Sequence, residues 1–184
     1  LRGAYPGAAI QVRRSSDNAA QDIGFTPAGA LDTAALTAFV GAGNSGFVTV
    51  WYDQSGNGRD VRQTTAANQP LIVASGTVFT MNARPAIQFG VGRTLAAGSG
   101  MNGLNDGSYS VSFVSQLIDA SGGLVEFVNA RQGLSAGWIV RHEGTSTNHL
   151  RWLHAGMLTG YVGLGPSLVN APLQVTQSSD GTQV

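Results

Sequence analysis

Two glutamates occur in the chain, Glu126 and Glu143, beside eight aspartates. Cleaving a glycosidic bond with retention needs two carboxyl groups about 5 Å apart, one as nucleophile and one as acid. Glu126 lies in Leu124-Val125-Glu126-Phe127-Val128, where strand alternation sets it opposite its apolar neighbours. On the concave face of a sheet such a carboxylate is placed for chemistry; on the convex face it is only solvated. Asp106, Asp119 and Glu143 are all available as its partner, and nothing in the spacing selects among them.

A second group of side chains suits recognition rather than catalysis. Trp138, Arg141, His142, His149, Arg151, Trp152 and His154 gather aromatic, basic and imidazole groups in one short stretch. Sugars bind by laying an apolar ring face on an aromatic while a few polar groups fix the hydroxyls. Trp138, Arg141, His142, His149 and Trp152 are therefore the expected ligand-binding residues. Alternation turns Trp152 away from Arg151, so the set need not share one face. The bland alternative puts the tryptophans in a core and the charges in solvent. The histidines, seven and five residues apart, match no short metal motif.

Asp53, Ser55 and Asn57 place oxygen side chains at alternate positions before Gly58, as in the opening of a calcium loop. The closing bidentate glutamate is missing, because Thr64 holds the twelfth place. The preferred reading is a turn held by Asx-type hydrogen bonds, with calcium as the weaker alternative and no other cofactor expected. Asp17, Asn18, Gln21 and Asp22 read as local turns in the same way.

The elements around these residues are mostly strands. Ala9 to Arg13 alternates apolar and polar, Ile23-Gly24-Phe25 gives a second short candidate, and Phe47 to Tyr52 is strongly β. Leu71 to Val73, Val78 to Thr80 and Pro85 to Phe89 follow. From Tyr109 strands recur at Tyr109 to Leu117, Leu124 to Val128, Gly137 to Val140, Leu150 to Leu153, Leu158 to Val162 and Leu173 to Thr176. One helix is expected over 32–40, with Asp32 as N-cap and Gly41 as terminator. The pattern predicts one mostly β, antiparallel sandwich over 1–184. The turn signal Ser179-Asp180-Gly181 with only three residues after it suggests a piece of a longer chain.

Composition narrows the classes further. All ten basic residues are arginine, ten acidic residues balance them, and no cysteine is present. A neutral chain without a basic cluster argues against nucleic-acid binding. No apolar run approaches the roughly 20 residues that span a bilayer. Twenty-six glycines between short apolar runs suit a fold of many tight turns.

Tyr5 to Asp17, beginning Tyr-Pro-Gly-Ala-Ala-Ile-Gln-Val-Arg-Arg, leads through the helix to Val50-Trp51-Tyr52-Asp53-Gln54-Ser55-Gly56-Asn57-Gly58. Gln63, Gln69-Pro70 and Arg84-Pro85-Ala86 follow. This pattern resembles the start of the catalytic domain of B-type α-L-arabinofuranosidases. It is equally similar to laminin-G-like, concanavalin-type domains of bacterial surface and phage tail proteins. The resemblance implies a concanavalin-like jelly roll. The arabinofuranosidases use a glutamate nucleophile and an aspartate acid and are rich in disulfides, whereas this chain has no cysteine. The expectation is a non-catalytic, lectin-like module on an extracellular or virion surface. It would bind a glycan or cell-surface polysaccharide beside neighbouring subunits of a larger assembly. A retaining α-L-arabinofuranosidase with Glu126 and Glu143 at its centre is the first alternative, and a purely structural assembly module the second.

Overall fold

A computed structural model describes residues 5–97, 109–116, 123–132, 136–144, 149–154, 157–163 and 172–179. The chain forms two compact units, Leu1–Gly100 and Met101–Val184. Antiparallel strands dominate both, and the described residues contain one α-helix. The expected class, mostly β with one short helix, is what the chain adopts.

In the first unit, β1 (Ile10–Arg14) lies between β2 (Ala20–Ile23) and β3 (Gly46–Trp51). The free edge of β3 is shared. Its first residues pair with β5 (Leu71–Ala74) and its last with β4 (Val61–Arg62). β6 (Thr77–Val78) extends β5, and β9 (Ala96–Ala97) extends β4. A separate small hairpin joins β7 (Thr80–Met81) to β8 (Arg84–Pro85).

Alternation decides which face is buried. Ile10 and Val12 of β1 and Val48 of β3 point inward, where they meet Ile23, Ile72 and Val73. Helix α1 (Thr33–Val40) closes this face with Leu36 and Val40. It starts as expected: the Asp32 carboxylate accepts the Ala35 N–H at 2.9 Å, satisfying one donor the helix cannot pair internally. Gly46 makes the close packing possible. A Cβ there would stand 2.9 Å from Val40 Cγ2 and 3.1 Å from Val12 Cγ1.

Four sequence expectations need correction. The second strand runs Ala20–Ile23 and not through Gly24 and Phe25; Phe25 only bridges Leu31. Gln21 and Asp22, expected in turns, are therefore strand residues. Hairpin pairing with β1 fixes this register, and Ile23 alone among the four is buried, so alternation carried no signal. Asp17 and Asn18 do form the turn before it, with Asn18 at φ 62°. Val78 to Thr80 splits into two short strands. In Pro85 to Phe89, only the Arg84–Pro85 end and the Gln88 bridge to Leu71 are paired.

In the second unit, β10 (Tyr109–Gln116) pairs with β15 (Pro172–Ser179) along all eight residues. A four-stranded meander runs β11 (Gly123–Gln132), β12 (Ala136–Gly144), β13 (His149–His154) and β14 (Met157–Gly163).

Candidate functional site

Every residue singled out for sugar recognition, and both glutamates, fall on the four-stranded meander. Its register arranges them in cross-strand rows. Glu126 pairs with Arg141, Arg141 with Arg151, and Arg151 with Tyr161. Two residues along β12, Glu143 pairs with Leu124 on one side and His149 on the other. Because paired residues share a face and alternate rows do too, Glu126, Glu143, Arg141, His149, Arg151 and Tyr161 belong to one face. Glu126 and Glu143 are diagonal neighbours on it, a relation that spaces backbones by about 7–8 Å.

The other rows carry the aromatics. Trp138 pairs with His154, Val140 with Trp152, and His142 with Leu150. These rows belong to the opposite face. The expected ligand set thus divides: Arg141 and His149 share a face with the glutamates, while Trp138, His142 and Trp152 lie on the other. Beside Glu126 the register slips by one residue, so that β11 spends an extra residue at Phe127. Such bulges re-aim strands and recur next to active sites. Asp106 and Asp119, the other partners open to Glu126, lie outside the described residues.

The Tyr52 to Gly58 string forms a tightly cross-linked corner of the first unit. The Asp53 carboxylate accepts from the Ser55 N–H at 2.8 Å, the Ser55 hydroxyl at 2.7 Å and the Arg59 N–H at 3.0 Å. The Ser55 oxygen in turn accepts from Asn57 Nδ2 at 2.8 Å. The bonds from Ser55, then from the Arg59 amide, hold the Asp53 carboxyl at about 2, below the usual carboxylate range. Gly56 and Gly58 take positive φ, as the turn requires. The oxygens of Asp53, Ser55 and Asn57 are thus used on one another and on backbone amides. Among the described residues no three His, Asp or Glu side chains converge as a metal site would need.

On either side of that string, polar contacts tie the sheet together. The Tyr52 hydroxyl donates to Asp22 at 2.9 Å, and Gln11 Nε2 donates to the same oxygen at 3.1 Å. Partial burial, then the bond to Asp22, pushes the Tyr52 hydroxyl up to about 12. Asp60 accepts from the Asp53 N–H at 2.8 Å and pairs with Arg62 at 2.7 Å. Trp51 stands beside these groups, 44% exposed.

Farther along the same sheet, Phe47 carries two guanidinium groups. Arg13 lies 4.8 Å and Arg93 5.4 Å from the ring centroid. Arg13 is fixed by neutral partners, Gln69 Oε1 and Asn18 Oδ1, each at 2.7 Å. A shallow depression of about 350 Å³ elsewhere is lined by Thr33, Ala34, Thr37, Val78, Thr80, Ala83 and Pro85. It offers hydroxyls but no ionisable group, so acid–base chemistry is not available there.

With these arrangements in view, comparison with known proteins points to one class. Residues 1–91 match the family described as "Alpha-L-arabinofuranosidase B, catalytic". The chain is 35% identical over 95 residues to α-L-arabinofuranosidase B of Aspergillus oryzae (strain ATCC 42149 / RIB 40), an alignment covering 47% of this chain and 19% of that protein.

Two solved structures share the fold, each at 16% identity and each covering 98% of this chain and 44% of the other. One is a mutant GH54 α-L-arabinofuranosidase soaked with 4-nitrophenyl α-L-arabinofuranoside, with a TM-score of 0.60. The other is an arabinofuranosidase complexed with arabinofuranosyl-α-1,2-xylobiose, at 0.59. The chain spans less than half the length of these structures and about a fifth of the curated relative. The first half of the chain is thus similar to an arabinofuranosidase B catalytic family, and its fold is that of the solved GH54 arabinofuranosidases.

This overturns the expected non-catalytic, lectin-like attachment module, because the matched family is a catalytic one. The laminin-G, phage-tail and virion readings fall with it. The Tyr52–Gly58 string on which they rested forms a turn cross-linked by its own side chains, and by itself it does not separate these classes.

Proposed function

We propose that this chain is part of the catalytic domain of a retaining glycoside hydrolase that releases α-L-arabinofuranosyl groups from a xylan-type glycan outside the cell. The match of residues 1–91 to a catalytic arabinofuranosidase family carries the reading. The xylobiose-linked arabinofuranoside held by a protein of the same fold supports the substrate class.

Glu126 and Glu143 supply the chemistry in this reading. One carboxylate attacks the anomeric carbon, and the glycosidic bond breaks as the other carboxyl protonates the leaving oxygen. Water, deprotonated by the second group, then hydrolyses the glycosyl ester and regenerates both. Glu126 is assigned the nucleophile, and Glu143, its diagonal neighbour on the same face, the acid–base role that an aspartate fills in the resembling arabinofuranosidases. Arg141 is the register partner of Glu126. No cofactor takes part in these steps.

Turnover of 4-nitrophenyl α-L-arabinofuranoside tests the assignment. Wild type should release nitrophenol, Glu126→Gln should lose that release, and azide should restore it to Glu126→Ala as an arabinosyl azide. Glu143→Gln should damage release of a poor leaving group such as xylobiose more than release of nitrophenol. Absence of wild-type turnover on aryl and xylan substrates alike would discard the reading.

A further inference from the structure

We propose that Arg13 and Arg93, gathered on the Phe47 ring, form a binding site for the carboxylate of a uronic acid substituent on the glycan. The inference rests on the glycan-processing reading above. The site lies on the sheet face opposite the buried core, since Arg13 and Phe47 alternate with the buried Val12 and Val48.

Among the described residues the two cations have no counter-charge. Elsewhere in this unit Arg14 pairs with Asp17 at 2.6 Å and Arg62 with Asp60 at 2.7 Å. Arg13 instead takes the neutral oxygens of Gln69 and Asn18, and among the described residues Arg93 has no carboxylate partner. Like charges gathered on one ring favour an anion nearby, which offsets their repulsion. Each fork presents several N–H donors in the plane that a carboxylate matches.

The site is also held in place beforehand. Gln69 is 3% exposed, and its carboxamide is used at both ends. Its oxygen accepts from Arg13 Nε at 2.7 Å, and its nitrogen donates to the Gln63 carbonyl at 3.0 Å. That fixes Arg13 through Nε, while Nη1 is taken by Asn18, leaving Nη2 outside these bonds. Arg93 is presented by a tight turn in which its N–H bonds to the Gly90 carbonyl at 3.0 Å, with Gly92 at φ 72°. Gln63 Nε2 donates to the Thr94 hydroxyl at 3.0 Å, which anchors the segment following the turn. A pre-positioned fork and a stacked partner, half in solvent, suit a carboxylate on a large sugar polymer, whose hydroxyls can stay wet.

Calorimetric titration of the whole protein tests this with a uronic-acid-substituted xylooligosaccharide and its carboxyl-reduced, neutral counterpart. The acidic oligosaccharide should bind about tenfold or more tightly, and the preference should shrink as salt rises. Arg93→Gln and Arg13→Gln should each abolish the preference. Arg93→Gln, on an exposed turn, should also keep the wild-type melting temperature, which separates loss of the site from loss of the fold. Equal affinity for the two oligosaccharides would overturn the proposal. So would acetate or inorganic phosphate binding as tightly as the acidic sugar, which would make this a plain anion site. Turnover of the aryl arabinofuranoside is read in the same preparations, so failure here and failure of the glycosidase reading are told apart.

Discussion

The two units divide labour in a way their sequences do not advertise. The first, with the helix-backed sheet, carries the residues that mark the family, yet those residues chiefly hold the structure. Asp53 closes a turn on its own neighbours, Tyr52 ties β3 to Asp22, and Gly46 lets the helix approach. The four-stranded meander of the second unit carries both glutamates, all three histidines and two of the three tryptophans. The recognisable residues and those proposed to react therefore sit in different places. The difference teaches that a recognisable string can serve a corner of backbone while the candidate chemistry lies on another sheet.

Substitutions can break or sharpen this contrast. The largest effect should come from the meander: Glu126→Gln should lower turnover by roughly 10³-fold or more while leaving the thermal midpoint within a degree or two. A matching fall in stability would erase the distinction between the two sheets. Gly46→Ala should do the reverse. Its Cβ would press on Val40 and Val12, and overpacking of this kind costs about 1–3 kcal/mol, read as a lower melting temperature with the Michaelis constant unchanged.

Asp32→Ala removes the helix cap and should cost about 1 kcal/mol by chemical denaturation; Asp32→Ser should recover most of it.

The smallest effect concerns acid. The Asp53 carboxyl is depressed from 3.8 to about 2 in the folded chain. Its contribution to stability is therefore complete above the unfolded value and disappears as pH falls through the folded one. Melting temperatures taken between about pH 5 and pH 2 should decline. Asp53→Asn should flatten that slope only in part, because Asp17, depressed by its bond to Arg14, titrates in the same window. An unchanged slope in Asp53→Asn would mean that the turn does not draw on the charge.

Amphipathic elements are legible in the sequence itself. Ile10 and Val12, Phe47 to Trp51 and the Asp32-capped helix each combine a local preference with a buried face, so period and cap agree. β2, β4 and β9 were not readable in this way. Each is short and largely exposed, and is defined by a neighbour that pairs with it from seven to thirty-six residues away. The candidate site was legible as a set of residue types and illegible as a constellation. Which of Arg141, His142, His149 and the glutamates share a face depends on register, and the slip beside Glu126 has no mark in the sequence. The Phe47 site shows the same limit. Arg13 and Arg93 are eighty residues apart, and only the fold brings them to one ring.

Strand β2 has one more consequence. A sheet that stops leaves a row of unpaired amides and carbonyls, a template on which any extended chain can polymerise. Among the described residues β2 has no outer neighbour, so that rim is four residues long, and Ala20, Gln21 and Asp22 are exposed on it. The Tyr52 and Gln11 bonds hold the Asp22 charge at the rim, where an incoming strand would have to strip its water. A contact that serves cohesion within one molecule thus also sets the terms on which molecules meet, favouring dispersal over fibre growth in a crowded medium.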